Sequence, residues 1–181
     1  MRNVKTALAL VATLVIASIA AGCGSDNSDK QANETYANGV CTAIGEWGQQ
    51  VKTIATTFNG SLSKAGLESK LDEAASATRT LARKIKAVPA PDTSDGRAAK
   101  QQLDQLLTDV DKTIDAAQTA AANLPADASV ATIGGAIASL APQVQALAAE
   151  AKSAASSLKE AGGSLADAFK KSDSCQSLGS S

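Results

Sequence analysis

The chain has 181 residues, with 17 basic against 18 acidic side chains and no histidine. A formal net charge of −1 argues against nonspecific nucleic-acid binding, and the missing imidazole removes the commonest general base and transition-metal ligand. The aromatic residues are Tyr36, Trp47, Phe58 and Phe169, so a core has to come from aliphatics and alanine; that composition, with few β-branched alternating runs, points to an all-α fold.

The first element is a leader. Arg2 and Lys5 precede an apolar run from Ala7 to Ala17, and small residues follow as far as Gly22. A cationic start, a short apolar stretch and a small-residue exit read as a secretory signal rather than part of a domain. The run is short for a membrane span and no charged stop-transfer segment follows it. The exit, Ile19-Ala20-Ala21-Gly22-Cys23, resembles the lipobox of bacterial lipoproteins, with Ala20 at the position where that family prefers leucine. The resemblance covers only these first 23 residues. It implies cleavage of residues 1–22, a lipid on the Cys23 thiol and a mature chain held at the extracytoplasmic face of a cell membrane. Two acyl chains anchor far more durably than one.

Losing Arg2 and Lys5 with the leader leaves 15 basic against 18 acidic residues, a net charge of −3. With Cys23 lipidated, Cys41 and Cys175 remain as an even pair in an oxidising compartment, where a disulfide is the expected state. Residues 23–33 contain a polar run without periodicity and read as a flexible tether.

The domain is expected over residues 34–175. Helix 1 is predicted from about Glu34 to Phe58, where Ala37, Val40, Ile44, Trp47, Val51, Ile54 and Phe58 recur at spacings of three and four, a coiled-coil-like seam. Helix 2 starts near Ser61 or Ser63, carries Leu67, Leu71, Ala74, Thr78, Leu81, Ile85 and Val88, and stops before Pro89 and Pro91. Helix 3 restarts after the capping cluster Asp92-Thr93-Ser94, with Leu103, Leu107, Val110, Ile114, Ala117, Ala121 and Leu124 on one face. The last segment, from about Val130 to Lys171, keeps one apolar phase through Ile133, Ile137, Leu140, Val144, Leu147 and onward to Leu165. At about 1.5 Å per residue helix 3 spans about 45 Å and an unbroken last helix about 60 Å. That mismatch predicts a kink or break near Ala141-Pro142, with Gly162-Gly163 as a second weak point. Residues 176–181 are expected to be a disordered tail.

These elements predict an antiparallel up-down-up-down four-helix bundle. In that layout the start of helix 1 and the end of the last helix share a pole, which brings Cys41 and Cys175 within reach of each other.

Asp104, Asp111 and Asp115 share a face of helix 3 and read as a solvated surface. Arg79, Arg83 and Lys86 form a basic stripe near the end of helix 2, where cations complement the helix dipole. The bundle layout would place them at the tethered pole with Arg97, Lys100, Lys170 and Lys171, as a basic surface toward anionic headgroups. Neither a catalytic constellation, a cofactor motif nor metal-ligand spacing is visible. Beyond the lipobox, the chain resembles small alanine-rich helical envelope lipoproteins of high-GC Gram-positive bacteria in composition alone. The function expected is a non-enzymatic binding or accessory module at the membrane, its partner an envelope or membrane protein. The alternative is a carrier or sensor of a small apolar ligand held inside the bundle.

Overall fold

The computed structural model describes residues 25–58 and 62–178, and among them it contains six helices and no strand. The leader and Cys23 lie outside the described residues.

α1 runs from Ser25 to Thr57. It starts earlier than the apolar seam predicts, so residues 25–33, expected as a loose tether, are helical. The reason is visible in the burial pattern. Residues 27–32 are exposed, and Asn33 is the first buried residue, donating from Nδ2 to Ser164 Oγ at 2.9 Å. A polar stretch with no apolar stripe therefore extends a helix whose packed part begins about two turns after its start. From Tyr36 onward the seam is buried as its spacing requires, through Val40, Ile44, Trp47, Val51 and Ile54.

α2 spans Lys64–Ala87 and is opened by Ser63, whose hydroxyl accepts from the Gly66 N–H at 3.1 Å. It ends at Val88, held extended (ψ 114°) by the proline that follows. α3 spans Ser94–Ala122 with Thr93 as N-cap, its hydroxyl accepting from Gly96 N at 3.0 Å. Gly96 has no room for a side chain, because a β-carbon there would overlap the Pro91 carbonyl oxygen.

α4 spans Val130–Glu160, capped by Ser129, and continues as helix through Pro142. The break expected near Ala141-Pro142 falls instead at Gly162 and Gly163, which adopt φ of 84° and 70°. By length and composition α4 is apolar enough to cross a membrane, yet Ile133, Ile137, Leu140, Val144 and Leu147 lie in the protein core. α5 (Gly163–Lys171) and α6 (Asp173–Leu178) follow. Gln176, Ser177 and Leu178, expected in a disordered tail, belong to α6, and Leu178 is buried.

α1 packs on α2, α4, α5 and α6; α2 packs on α3, and α3 on α4. Side-chain bonds fix the pairings. Lys84 pairs with Glu46 between α2 and α1, Gln118 Nε2 donates to Asp72 Oδ1 at 2.8 Å between α3 and α2, and Lys64 Nζ donates to the Ala122 and Leu124 carbonyls at the end of α3. Cys41 and Cys175 form a disulfide between α1 and α6.

Candidate functional site

The wall between α2 and α3 carries an open groove of about 740 Å³. α2 contributes Thr78, Arg79, Ala82 and Lys86; α3 contributes Lys100, Asp104, Thr108, Asp111 and Lys112, and Leu107 supplies apolar floor. The helix period explains the grouping. Arg79 and Lys86 are seven residues apart and so share a face, as do Asp104 and Asp111 on the facing helix. The Gln118–Asp72 bond sets the register between them: seven residues along each helix, in opposite senses, brings Arg79 level with Asp111, and seven more brings Lys86 level with Asp104.

The groove thus holds two rungs, each a cation facing a carboxylate, with Lys100 and Lys112 as additional cations. Lys100 Nζ is committed to Asp104 Oδ2 at 2.7 Å. Lys112 reaches Asp109 only at 3.8 Å. Among the described residues Arg79, Lys86 and Asp111 lie in no ion pair, although Arg79 and Asp111 stand opposite one another.

Behind the groove wall, the Trp47 indole Nε1 donates to Thr78 Oγ1 at 3.2 Å, a buried bond that holds α1 to α2. Asp104 also acts inward. Burial first, and the Asp104 charge second, push the Tyr36 phenol up from 10.0 to about 12. Tyr36 lies edge-on to Phe169, with ring centres 6.2 Å apart.

Of the basic residues singled out in the sequence, the structure brings Arg79, Lys86 and Lys100 into this groove and leaves the others outside it. Arg83 is exposed and donates from Nη2 to Thr80 Oγ1 at 3.0 Å. Arg97 pairs with Asp92 at 3.1 Å and Lys170 with Asp167 at 3.8 Å, so each is offset by its own acid. Lys171 is exposed at the end of α5. The sequence reading missed Lys112, and it treated the α3 carboxylates and the α2 cations as separate surfaces; only the i, i+7 spacing common to both hinted that they face each other.

A second open groove lies between α1 and α2, lined by Glu46, Gln49, Gln50, Thr53, Glu73 and Thr80 over Ile54 and Ala77. Neither groove is lined by a residue of α4. Among the described residues no three His, Cys, Asp or Glu side chains gather where they could share a metal ion.

No family model, no curated protein and no solved structure matches this chain.

Proposed function

We propose that this chain is a lipid-anchored, extracytoplasmic helical module that binds a partner through its outer helix faces and performs no catalysis. The anchor rests on the leader and on Cys23, which resemble a lipoprotein signal and its acylated cysteine. The frame is an antiparallel up-down-up-down bundle of α1 to α4, with α5 and α6 folded back onto α1. Its support is the set of pairings between successive helices, with the start of α2 bonded to the end of α3 and the end of the chain bonded to α1.

The observation that carries the binding reading is where the open space lies. The interior side chains of all four long helices are packed against one another, whereas both grooves open outward between neighbouring helices and set charged and polar side chains over an apolar floor. A carrier of an apolar ligand needs the reverse, an apolar space within the bundle. α1 also contributes a spacer. Its exposed residues 27–32 rise about 9 Å, which holds the packed domain off the bilayer as a helical stalk. The partner is then an envelope or membrane protein, or a headgroup met when the domain tips over.

The test is a native mass spectrum of the protein gently extracted from its own membrane. The expected result is a covalent mass carrying the lipid on Cys23 and the Cys41–Cys175 bond, together with a co-extracted polypeptide. A reproducible small added mass, displaced by apolar competitors, would overturn the binding-module reading in favour of a carrier. An unacylated thiol at Cys23 would overturn the anchor.

A further inference from the structure

We propose that the α2–α3 groove is a recognition site for a phosphorylated polyol, with Arg79 as the phosphate fork and Asp111 as the acceptor for a neighbouring hydroxyl. This deepens the binding-module reading and rests on it.

Three features of the groove select that chemistry. First, four cations line it against two carboxylates, a local surplus in a chain whose total charge is negative. An anion is therefore drawn to this face and repelled by the rest of the molecule. Second, outside the Lys100–Asp104 and Lys112–Asp109 pairs, the remaining charges of the groove are not spent on each other. Arg79 and Asp111 are level across the groove, yet no ion pair closes between them, and Lys86 has no ion-pair partner among the described residues. A gap between facing opposite charges suits a ligand that offers an anionic group to one side and a hydrogen-bond donor to the other. Third, the planar guanidinium takes two phosphate oxygens at once, while a carboxylate accepts hydroxyl hydrogens and repels phosphate. A bare anion uses only half of such a groove, and a neutral sugar uses the other half. A phosphate ester of a polyol uses both.

The two rungs repeat after seven residues, about 10.5 Å along the helices. One phosphate cannot span that distance, so Lys86 with the Lys100–Asp104 pair receives either a second phosphate or the remainder of the polyol. The same chemistry is offered by a phospholipid headgroup and by a free polyol phosphate.

The molecule carries its own reporter. Trp47 is the sole tryptophan, and its indole N–H is bonded to Thr78, a residue of the groove wall. The experiment titrates the full chain, ¹⁵N-labelled and held in zwitterionic detergent micelles, while following that single indole resonance. The probes are glycerol phosphate, inorganic phosphate, glycerol, and phosphatidylglycerol doped into the micelles, each at ionic strength matched with chloride.

The expected result is a saturable shift with glycerol phosphate or with phosphatidylglycerol, tighter than with inorganic phosphate and absent with glycerol. Saturation by the soluble ester identifies a free polyol phosphate as the source; saturation by the doped lipid alone identifies a headgroup. Arg79→Gln is expected to weaken binding at least about tenfold, the scale of one lost bidentate charged contact. Asp111→Ala, which removes the acceptor, should abolish the preference for glycerol phosphate over inorganic phosphate. Lys52→Gln, an exposed lysine of α1 away from the groove, should leave all affinities unchanged and controls for total charge. No saturable shift with any phosphate probe, or a shift that survives Arg79→Gln, overturns the proposal. Neither result touches the lipid or the co-extracted polypeptide sought in the mass spectrum, so the two readings fail separately.

Discussion

Cys41 of α1 is bonded to Cys175 of α6, with 5.0 Å between their α-carbons and a sequence separation of 134 residues. The junction is reinforced on both sides. Ser174 Oγ donates to Asn38 Oδ1 at 2.7 Å, and Lys159 Nζ of α4 donates to the Cys175 carbonyl at 2.8 Å. Closing so large a loop restricts the unfolded ensemble, which in the chain-entropy account stabilises the fold by about 5 kcal/mol. Replacing both cysteines by alanine is expected to lower the thermal midpoint by roughly 10–20 °C, given the size of the domain. Circular dichroism melts of the two proteins measure it, and a difference of only a degree or two would mean that α6 is held by packing alone.

The buried Trp47–Thr78 bond is a second tie between elements distant in sequence. Thr78→Val keeps the shape of the side chain but leaves the indole N–H buried without an acceptor. An unsatisfied buried donor costs about 1–3 kcal/mol. Thr78→Ser keeps the oxygen and loses one methyl group, about 1 kcal/mol of apolar burial. Urea unfolding should therefore rank wild type above Thr78→Ser and Thr78→Ser above Thr78→Val. Equal midpoints for the two variants would remove the bond from the account of stability.

Pro142 and Gly162-Gly163 show how far the apolar pattern can be read. Both interrupt the last seam, and helix length alone favours the proline as the break. The structure chooses the glycines, for a local reason. Pro142 is exposed, and the carbonyl its ring leaves without a donor belongs to Ala138, an exposed residue that is open to solvent. A left-handed pair of residues, by contrast, is open only to glycine without strain. Gly162→Ala meets open space, so its cost is the strain of its φ 84°, ψ 177° backbone alone, about 1–3 kcal/mol. Gly163→Ala bears that strain and also drives its methyl group into Asp95 Oδ2, the carboxylate in the first turn of α3. Asp95 is exposed and its carboxylate can turn aside, so the added cost is small, and Asp95→Ala should remove it. A double-mutant cycle on unfolding free energies reads the coupling directly, and a coupling above about 1 kcal/mol would show that the carboxylate cannot turn aside. Pro142→Ala, at an exposed site inside a continuous helix, should leave stability unchanged or slightly raised.

Other features were legible for equally concrete reasons. The caps at Ser63 and Thr93, the stop before Pro89, and the seams of α1 to α4 follow from local chemistry that a linear pattern records. The start of α1 does not, because a polar run reads alike as tether or as solvated helix. Asn33 illustrates the limit: it is polar, sits among polar residues, and is nevertheless buried against Ser164 of α5. The groove is hidden for a related reason. Asp111 reads as one more acid on a solvated face, and Lys112 as its neighbour, until α2 is laid beside α3 and Arg79 comes level with them. Periodicity tells which residues share a face of one helix, and only packing tells which faces meet.

Tyr36 allows the electrostatic link between groove and core to be measured, because it is the only tyrosine in the chain. Its phenol is raised to about 12, chiefly by burial and then by the charge on Asp104. The folded state therefore retains a proton that the unfolded chain gives up near pH 10, so stability is present below that pH and is lost as pH rises toward 12. The loss is at most about 3 kcal/mol, two pKa units of differential binding. Tyrosinate absorbance of the native protein should stay flat through pH 10 and rise only above it, whereas in denaturant it should titrate near the ordinary phenol value. Asp104→Asn is expected to move the native midpoint part of the way down, since burial remains the larger cause. Tyr36→Phe should flatten the stability profile over the same range relative to wild type, and a native midpoint near 10 would show that the phenol reaches water and that Asp104 has no hold on it.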